Sequence, residues 1–278
     1  MIRLPDHELD ESTAKALDKY QAEVDRSRSY KKRVELAKER WEQVHRSVKF
    51  NPVKSTLARM CCGARRCAYC EDSYADEVEH FRPKDLYPEH VFRWQNYAYT
   101  CGPCNGPKGN QFAVFTSSRG KPTLVARGQN DPVKPPAKGP IALIDPRSED
   151  PLEYLWLDLE EFVFTENADE GTRAWHRARY TIDTLGLNKR DELVTARASA
   201  YGSFRARLKE YRESKTARVA AHQLHALRDD IRSLHHQTVF AEMQRQRVTS
   251  SELKDLFKGI LEATTWKPQL WNPAGLTT

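Results

Sequence analysis

The sequence predicts an α+β protein, with mostly helical segments at both ends of a small, metal-clamped core. Three observations carry this. Apolar residues recur at helical spacing early and late in the chain, all six cysteines fall between Cys61 and Cys104, and the stretch around them is short-run and rich in turn residues. The 278 residues suffice for one large domain or two small ones. Aromatic residues at 10% can fill a core despite 30% charged residues, which excludes a disordered chain.

The first segment, 1–60, reads as helical. In "YKKRVELAKERWEQVHRSV" the residues Val34, Ala37, Trp41, Val44 and Val48 alternate at spacings of three and four, giving one apolar face. Pro52 suits a helix start, and Leu57 and Met60 are expected to pack inward. The core, 61–115, carries the Cys, Glu, His and Asn residues. Residues 116–150 begin with "TSSRGKPTLVARGQNDPVKPPAKGP", read as a surface loop or linker. The last segment, 151–278, opens with "YLWLDL" and "EFVFTE", which are expected to pair as a hairpin, and then turns helical. Gly186 is placed at one helix C-terminus and Asn188 at the N-cap of the next. Phe204, Leu208 and Tyr211 share one face, as do Leu224, Leu227, Ile231 and Leu234. "SELKDLFKGILEATTW" is expected as a short closing helix.

Four of the six cysteines form two CxxC pairs, Cys67/Cys70 and Cys101/Cys104. Each pair lets one tight turn present two sulfurs, and two such turns complete the tetrahedron of a structural zinc site. Redox use is the alternative. Inside the clamp, Glu79 and His80 are adjacent, Asn96 follows, and Asn105 comes directly after the last cysteine. Cys61 and Cys62 are read as packed thiols. The net charge of +6 and pI of about 8.9 point to a polyanionic partner. No apolar run approaches the roughly 18 residues of a membrane span, and "MIRLPDHELDES" lacks a secretory block, so a cytoplasmic protein without a membrane partner is expected.

In order, "CAYCE", "EHFRPK", "WQNY" and "CGPCNGPKGNQF" resemble the HNH endonucleases of the cysteine-clamped kind. "STLARM", "LIDPRSEDP" and "TIDTLGLNKRDELVTAR" add a resemblance to the HNH subunit of Septu-type anti-phage defence systems, the PtuB-like proteins. Together these motifs cover roughly residues 55–200. The resemblance implies a ββα-metal core and cleavage of phosphodiester bonds in nucleic acid, DNA being favoured. It implies His80 as general base, Glu79 and Asn105 as ligands of a catalytic Mg²⁺ or Mn²⁺, and Asn96 as a brace of the loop around His80. Zn²⁺ on the four thiolates would be structural. An imidazole has the right basicity to take a proton from water, and hard cations prefer oxygen ligands. Glu79 stands where Asp or His is commoner and Asn105 where a last His often stands, and both keep a ligating oxygen suited to Mg²⁺. The Septu-like flanks imply an effector subunit working with an ATPase partner. The sequence has no GxxxxGK[ST] loop of its own, so the partner would bring the nucleotide chemistry.

Arg82, Lys84 and Lys108 are candidate phosphate contacts, with solvated surface charge as the plain alternative. Adjacent residues of a regular strand face opposite ways, so a kink, bulge or strand end is expected at Glu79–His80. The rival reading is a non-catalytic zinc module that binds nucleic acid or protein. His222, His225, His235 and His236 lack nearby acids or cysteines and are not taken as ligands.

Overall fold

The computed structural model describes residues 1–118 and 120–272, and their architecture is α+β. Three helices open the chain: α1 (Glu11–Asp25), α2 (Tyr30–Val44) and α3 (Asn51–Arg59). Asp10 caps α1 by accepting from the Thr13 amide at 2.9 Å, and Ser29 caps α2 in the same way. Pro52 sits in the first turn of α3, where its missing N–H costs nothing. Val34, Ala37, Trp41 and Val44 are buried as the periodicity requires. Val48 breaks the pattern. Helix α2 ends at Val44, so Val48 lies in a following 3-10 turn and is 81% exposed.

Two short antiparallel strands follow, β1 (Glu77–His80) and β2 (Tyr97–Thr100), with Glu77 opposite Thr100 and His80 opposite Tyr97. Helix α4 (Gly102–Lys108) leaves β2 directly through Cys101. One face of the hairpin packs on the N-terminal helices, where Tyr97 and Tyr99 join Trp41, Phe50, Val53 and Leu57. The cysteine turns and α4 belong to a second apolar cluster, shared with the C-terminal helices. The hairpin therefore lies between two cores.

The described residues of 116–140 are mostly irregular, but β3 (Ala113–Val114) pairs with β4 (Thr123–Leu124), and the Phe115 amide donates to the Pro140 carbonyl at 2.8 Å. Strands β5 (Leu155–Leu157) and β6 (Phe164–Glu166) form the expected antiparallel hairpin. Helix α5 (Arg173–Leu185) is capped by Thr172 and ends at Gly186, whose φ of 59° is the left-handed conformation that a Cβ penalises. Asn188 does not cap the next helix. Its side chain instead bonds both the amide and the carbonyl of Phe164, at 2.8 and 2.7 Å, acting as a substitute strand partner for β6. Helix α6 (Asp191–Thr216) starts three residues later and buries Phe204, Leu208 and Tyr211. Helices α7 (Ala221–Ser233), α8 (Gln237–Gln246) and α9 (Ser251–Leu256) complete the C-terminal layer. Of the α7 stripe only Ile231 is fully buried, with Leu224, Leu227 and Leu234 packed at the rim of the core. The expected closing helix is interrupted at Phe257–Ile260, leaving α9 and a 3-10 turn, Leu261–Thr265. No helix among the described residues is long and apolar enough to cross a membrane.

Candidate functional site

The two CxxC turns converge. The Sγ atoms of Cys67, Cys70, Cys101 and Cys104 all lie within 4.8 Å of one another and all four residues are buried. Cys70 and Cys101 are 3.8 Å apart, which matches the edge of a ZnS₄ tetrahedron with Zn–S bonds of about 2.3 Å. The Cys67 sulfur accepts from the Tyr69 amide at 3.4 Å, and the Cys104 sulfur accepts from the Arg190 guanidinium at 3.2 Å. Hydrogen bonds from its three neighbours hold the Cys70 thiol well below the ordinary thiol range, while burial pushes Cys67 up. Four sulfurs at this separation cannot all be thiolates without a cation, so the donor set fits a zinc ion that the four cysteines could hold.

Arg190, just before α6, places positive charge against this cluster. Replacing it with Met removes an N–H···S bond and a counter-charge. We expect Arg190→Met to hold zinc about 10- to 100-fold less tightly, read by competition with a chromogenic chelator. Unchanged zinc affinity would deny the residue any part in the site.

Cys61 and Cys62 stay outside the cluster. Both are buried, Cys61 donates to the Leu57 carbonyl at 3.5 Å, and burial pushes its thiol up to about 12.

Beside the zinc frame lies a cleft of about 430 Å³, lined by Glu77, Glu79 and His80 of β1, Asn105 of α4, Lys84, and Trp41, His45 and Lys54 from the N-terminal segment. The β1–β2 register runs without a bulge through Glu79 and His80, with β1 ending at His80. The two side chains therefore leave the strand on opposite faces, as a regular pleat demands. His80 turns toward the N-terminal helices, with its ring edge-on to Trp41 at 4.2 Å between centroids. Its Nε2 lies 3.0 Å from the Val91 carbonyl, which only accepts, so Nε2 carries the hydrogen and Nδ1 keeps a lone pair. Burial, reinforced by the charge of Lys84, pushes this imidazole down to about 3 and keeps it neutral.

Glu79 turns toward α4 and pairs with Lys108. Both are buried, and burial raises the Glu79 carboxyl above its usual range although Lys108 opposes this. The Glu79 Oε1 is the oxygen that meets the Lys108 ammonium, so a cation could reach it only by displacing that charge. Asn105 donates through Nδ2 to Glu77 at 2.6 Å, on the same face of β1 as Glu79.

The chain is similar to Septu protein PtuB of Bacillus thuringiensis. The two are 45% identical over 58 residues, which is 19% of this chain and 23% of that relative. The chain thus spans about a quarter of the curated relative it matches. No family model matches.

The geometry brings Glu79, His80, Asn105 and Lys84 to one cleft. Asn96 stands behind it. Its Oδ1 accepts from the Arg82 amide at 2.8 Å, and its Nδ2 donates to the carbonyls of Arg82 and His90 at 3.1 and 3.0 Å. These bonds tie the segment after His80 to the segment that supplies the Val91 carbonyl. Asn96→Ala leaves these partners unpaired, and we expect a loss of about 3 kcal/mol in denaturant unfolding. Unaltered stability would show that the three bonds are dispensable.

One expectation needs correction. Lys108 cannot be a surface phosphate contact, because its ammonium is fully buried against Glu79 and donates to the His80 carbonyl at 3.0 Å. Of the kink, bulge or strand end expected at Glu79–His80, the structure has the strand end: β1 pairs in register with β2 up to His80 and stops there, without a bulge. Arg82 is half-buried with its guanidinium 5.4 Å above the Tyr87 ring, outside the cleft. Glu77 was not singled out in the sequence, although its position two residues before Glu79 on a strand puts it on the same face.

Proposed function

We propose that this protein is a metal-dependent HNH-type endonuclease that cleaves nucleic acid, DNA being favoured, as part of an anti-phage defence system in which an ATPase is its partner. The observation that carries the reading is the cleft itself: the His80 imidazole, the carboxylates of Glu77 and Glu79 and the Asn105 amide beside a thiol frame, with Lys54 and Lys84 in the same lining. The similarity to a Septu PtuB protein supports the defence context.

Glu79 and Asn105, joined by Glu77, are the residues that would hold the divalent cation, with the Lys108 ammonium giving way at Glu79. A bound Mg²⁺ or Mn²⁺ would offset the negative charge that develops on the phosphate and its leaving oxygen. His80 would take a proton from water through Nδ1, its orientation held by the Val91 carbonyl and the Trp41 ring. Lys84 and Lys54 would attract the phosphate backbone. The cysteine frame would hold β2 and α4 together so that Asn105 stays opposite β1.

The test is purified chain, alone and with the ATPase partner, incubated with supercoiled plasmid in Mg²⁺, Mn²⁺ or EDTA. Nicking with either metal and none in EDTA is the expected result. Intact plasmid in every lane, with the partner present, would overturn the reading.

Lys108 makes a second prediction. Its ammonium satisfies Glu79 now, so Lys108→Met leaves a buried carboxylate unpaired at a cost of about 3–5 kcal/mol. If Glu79 takes a divalent cation, added Mn²⁺ should raise the melting temperature of the variant more than that of the parent. Equal shifts would separate Glu79 from the metal.

One observation favours a different reading, a non-catalytic zinc module that binds nucleic acid or protein. Glu79 is already neutralised by Lys108, and Glu79 and His80 project from opposite faces of an unbroken ladder. Metal-independent DNA retention without nicking would favour that module.

A further inference from the structure

Arg82 stands between two cavities. The next residues, Pro83 and Lys84, line the cleft, whereas Arg82 itself lines a separate cavity of about 510 Å³. Tyr30 and Arg33 of α2, Tyr87 and Glu89 from the connection between β1 and β2, and Lys138 from the long loop form its other walls.

The loop wall is held in place. At Gly139 a Cβ would come within 2.0 Å of the Phe115 carbonyl oxygen, so only glycine allows the backbones this close. Arg127 adds a second tie by donating to the Asp85 carbonyl at 2.5 Å.

The lining is cationic and aromatic. Arg33, Arg82 and Lys138 have no ion-pair partner among the described residues, and Glu89 is the single acid. His90, in the same wall, has its basicity lowered by burial. The Arg33 and Arg82 guanidiniums lie 5.9 and 5.4 Å from the Tyr30 and Tyr87 ring centres. Tyr87 is only 7% exposed, and its hydroxyl has no hydrogen-bond partner among the described residues. The Arg33 Nε is buried and unpartnered in the same way. Buried polar atoms without partners cost free energy, and in a cavity wall they mark groups that a ligand can satisfy.

The volume suits a small organic ligand. An apolar ligand would strip water from three cations and return nothing. Inorganic phosphate would leave the Tyr87 hydroxyl and Glu89 unused. We propose that this cavity binds one nucleotide unit, its phosphate on Arg33, Arg82 and Lys138, its base against the tyrosines, and an exocyclic amine of the base donating to Glu89. The unit comes either from a free nucleotide or from a strand that continues past the cleft, and the second source rests on the nuclease reading.

The test is calorimetric titration of the full chain, without added Mg²⁺ or Mn²⁺, using AMP, ATP and a short single-stranded DNA. The variants are Arg33→Glu, Lys138→Glu and the pair, each checked for zinc content and melting temperature. AMP or ATP binding at one per chain identifies the free nucleotide as the source, and binding of the oligonucleotide alone identifies a strand. In either case the double variant is expected to lose at least tenfold in affinity. Failure of the wild-type chain to bind any of the three, or equal affinity in the folded variants, overturns the proposal. Plasmid left intact while AMP still binds would count against the nuclease reading alone.

Discussion

A Cys101→Ser chain is expected to purify without stoichiometric zinc and to lose the ordered structure of the region from Cys67 to Lys108. The reason is size. The β1–β2 hairpin has four residues per strand and α4 has seven, too little to persist alone in water. Tetrathiolate zinc sites in small peptides supply about 10–16 kcal/mol of binding free energy, which becomes folding free energy. Serine keeps the shape of cysteine but offers no thiolate, so one of four bonds is lost and three buried sulfurs remain. Metal analysis, far-UV circular dichroism and limited proteolysis read the outcome. Cys61→Ser is the control, because that buried thiol bonds the Leu57 carbonyl and takes no part in the cluster, so its zinc content should stay at one per chain. One zinc retained by Cys101→Ser, with an unchanged melt, would remove the frame on which the site is built.

The second large effect is expected at His80. Loss of a positioned general base typically costs 10²–10⁴-fold in rate, so His80→Ala should bring plasmid nicking to background. Zinc content should not change, because His80 makes no contact with the four sulfurs. Alanine also leaves a cavity beneath Trp41 and frees the Val91 carbonyl, which retains only the Tyr97 hydroxyl at 2.7 Å. A stability loss of about 2–4 kcal/mol is therefore expected alongside the loss of activity. His80→Gln separates the two effects, since it fills the volume and can still donate to Val91 but is no base. Nicking by the glutamine variant at the parental rate would show that the imidazole is not the proton acceptor.

Much of this molecule is written locally, and there the sequence is sufficient. Cys67-x-x-Cys70 and Cys101-x-x-Cys104 determine two sulfur-presenting turns, because the CxxC spacing puts both thiols of a pair on one tight turn. Val34, Ala37, Trp41 and Val44 determine which face of α2 is buried, and Gly186 determines where α5 stops. The β5–β6 hairpin follows from two short apolar runs on either side of a polar turn. Each of these rests on neighbours a few residues apart.

What the sequence leaves open depends on partners far along the chain. Lys108 reads as an exposed cation until α4 docks on β1 and its ammonium meets Glu79, 29 residues earlier. Asn188 reads as a helix cap until Phe164, 24 residues away, offers a free strand edge that needs both its amide bonds. Arg190 carries no sequence signal that ties it to the clamp, until the second core brings it to the Cys104 sulfur. Only the tertiary structure decided these, because a charged or amide side chain carries no pattern that names its partner. Its fate depends on which carboxylate, carbonyl or thiolate the packing of two cores leaves beside it and hides from water.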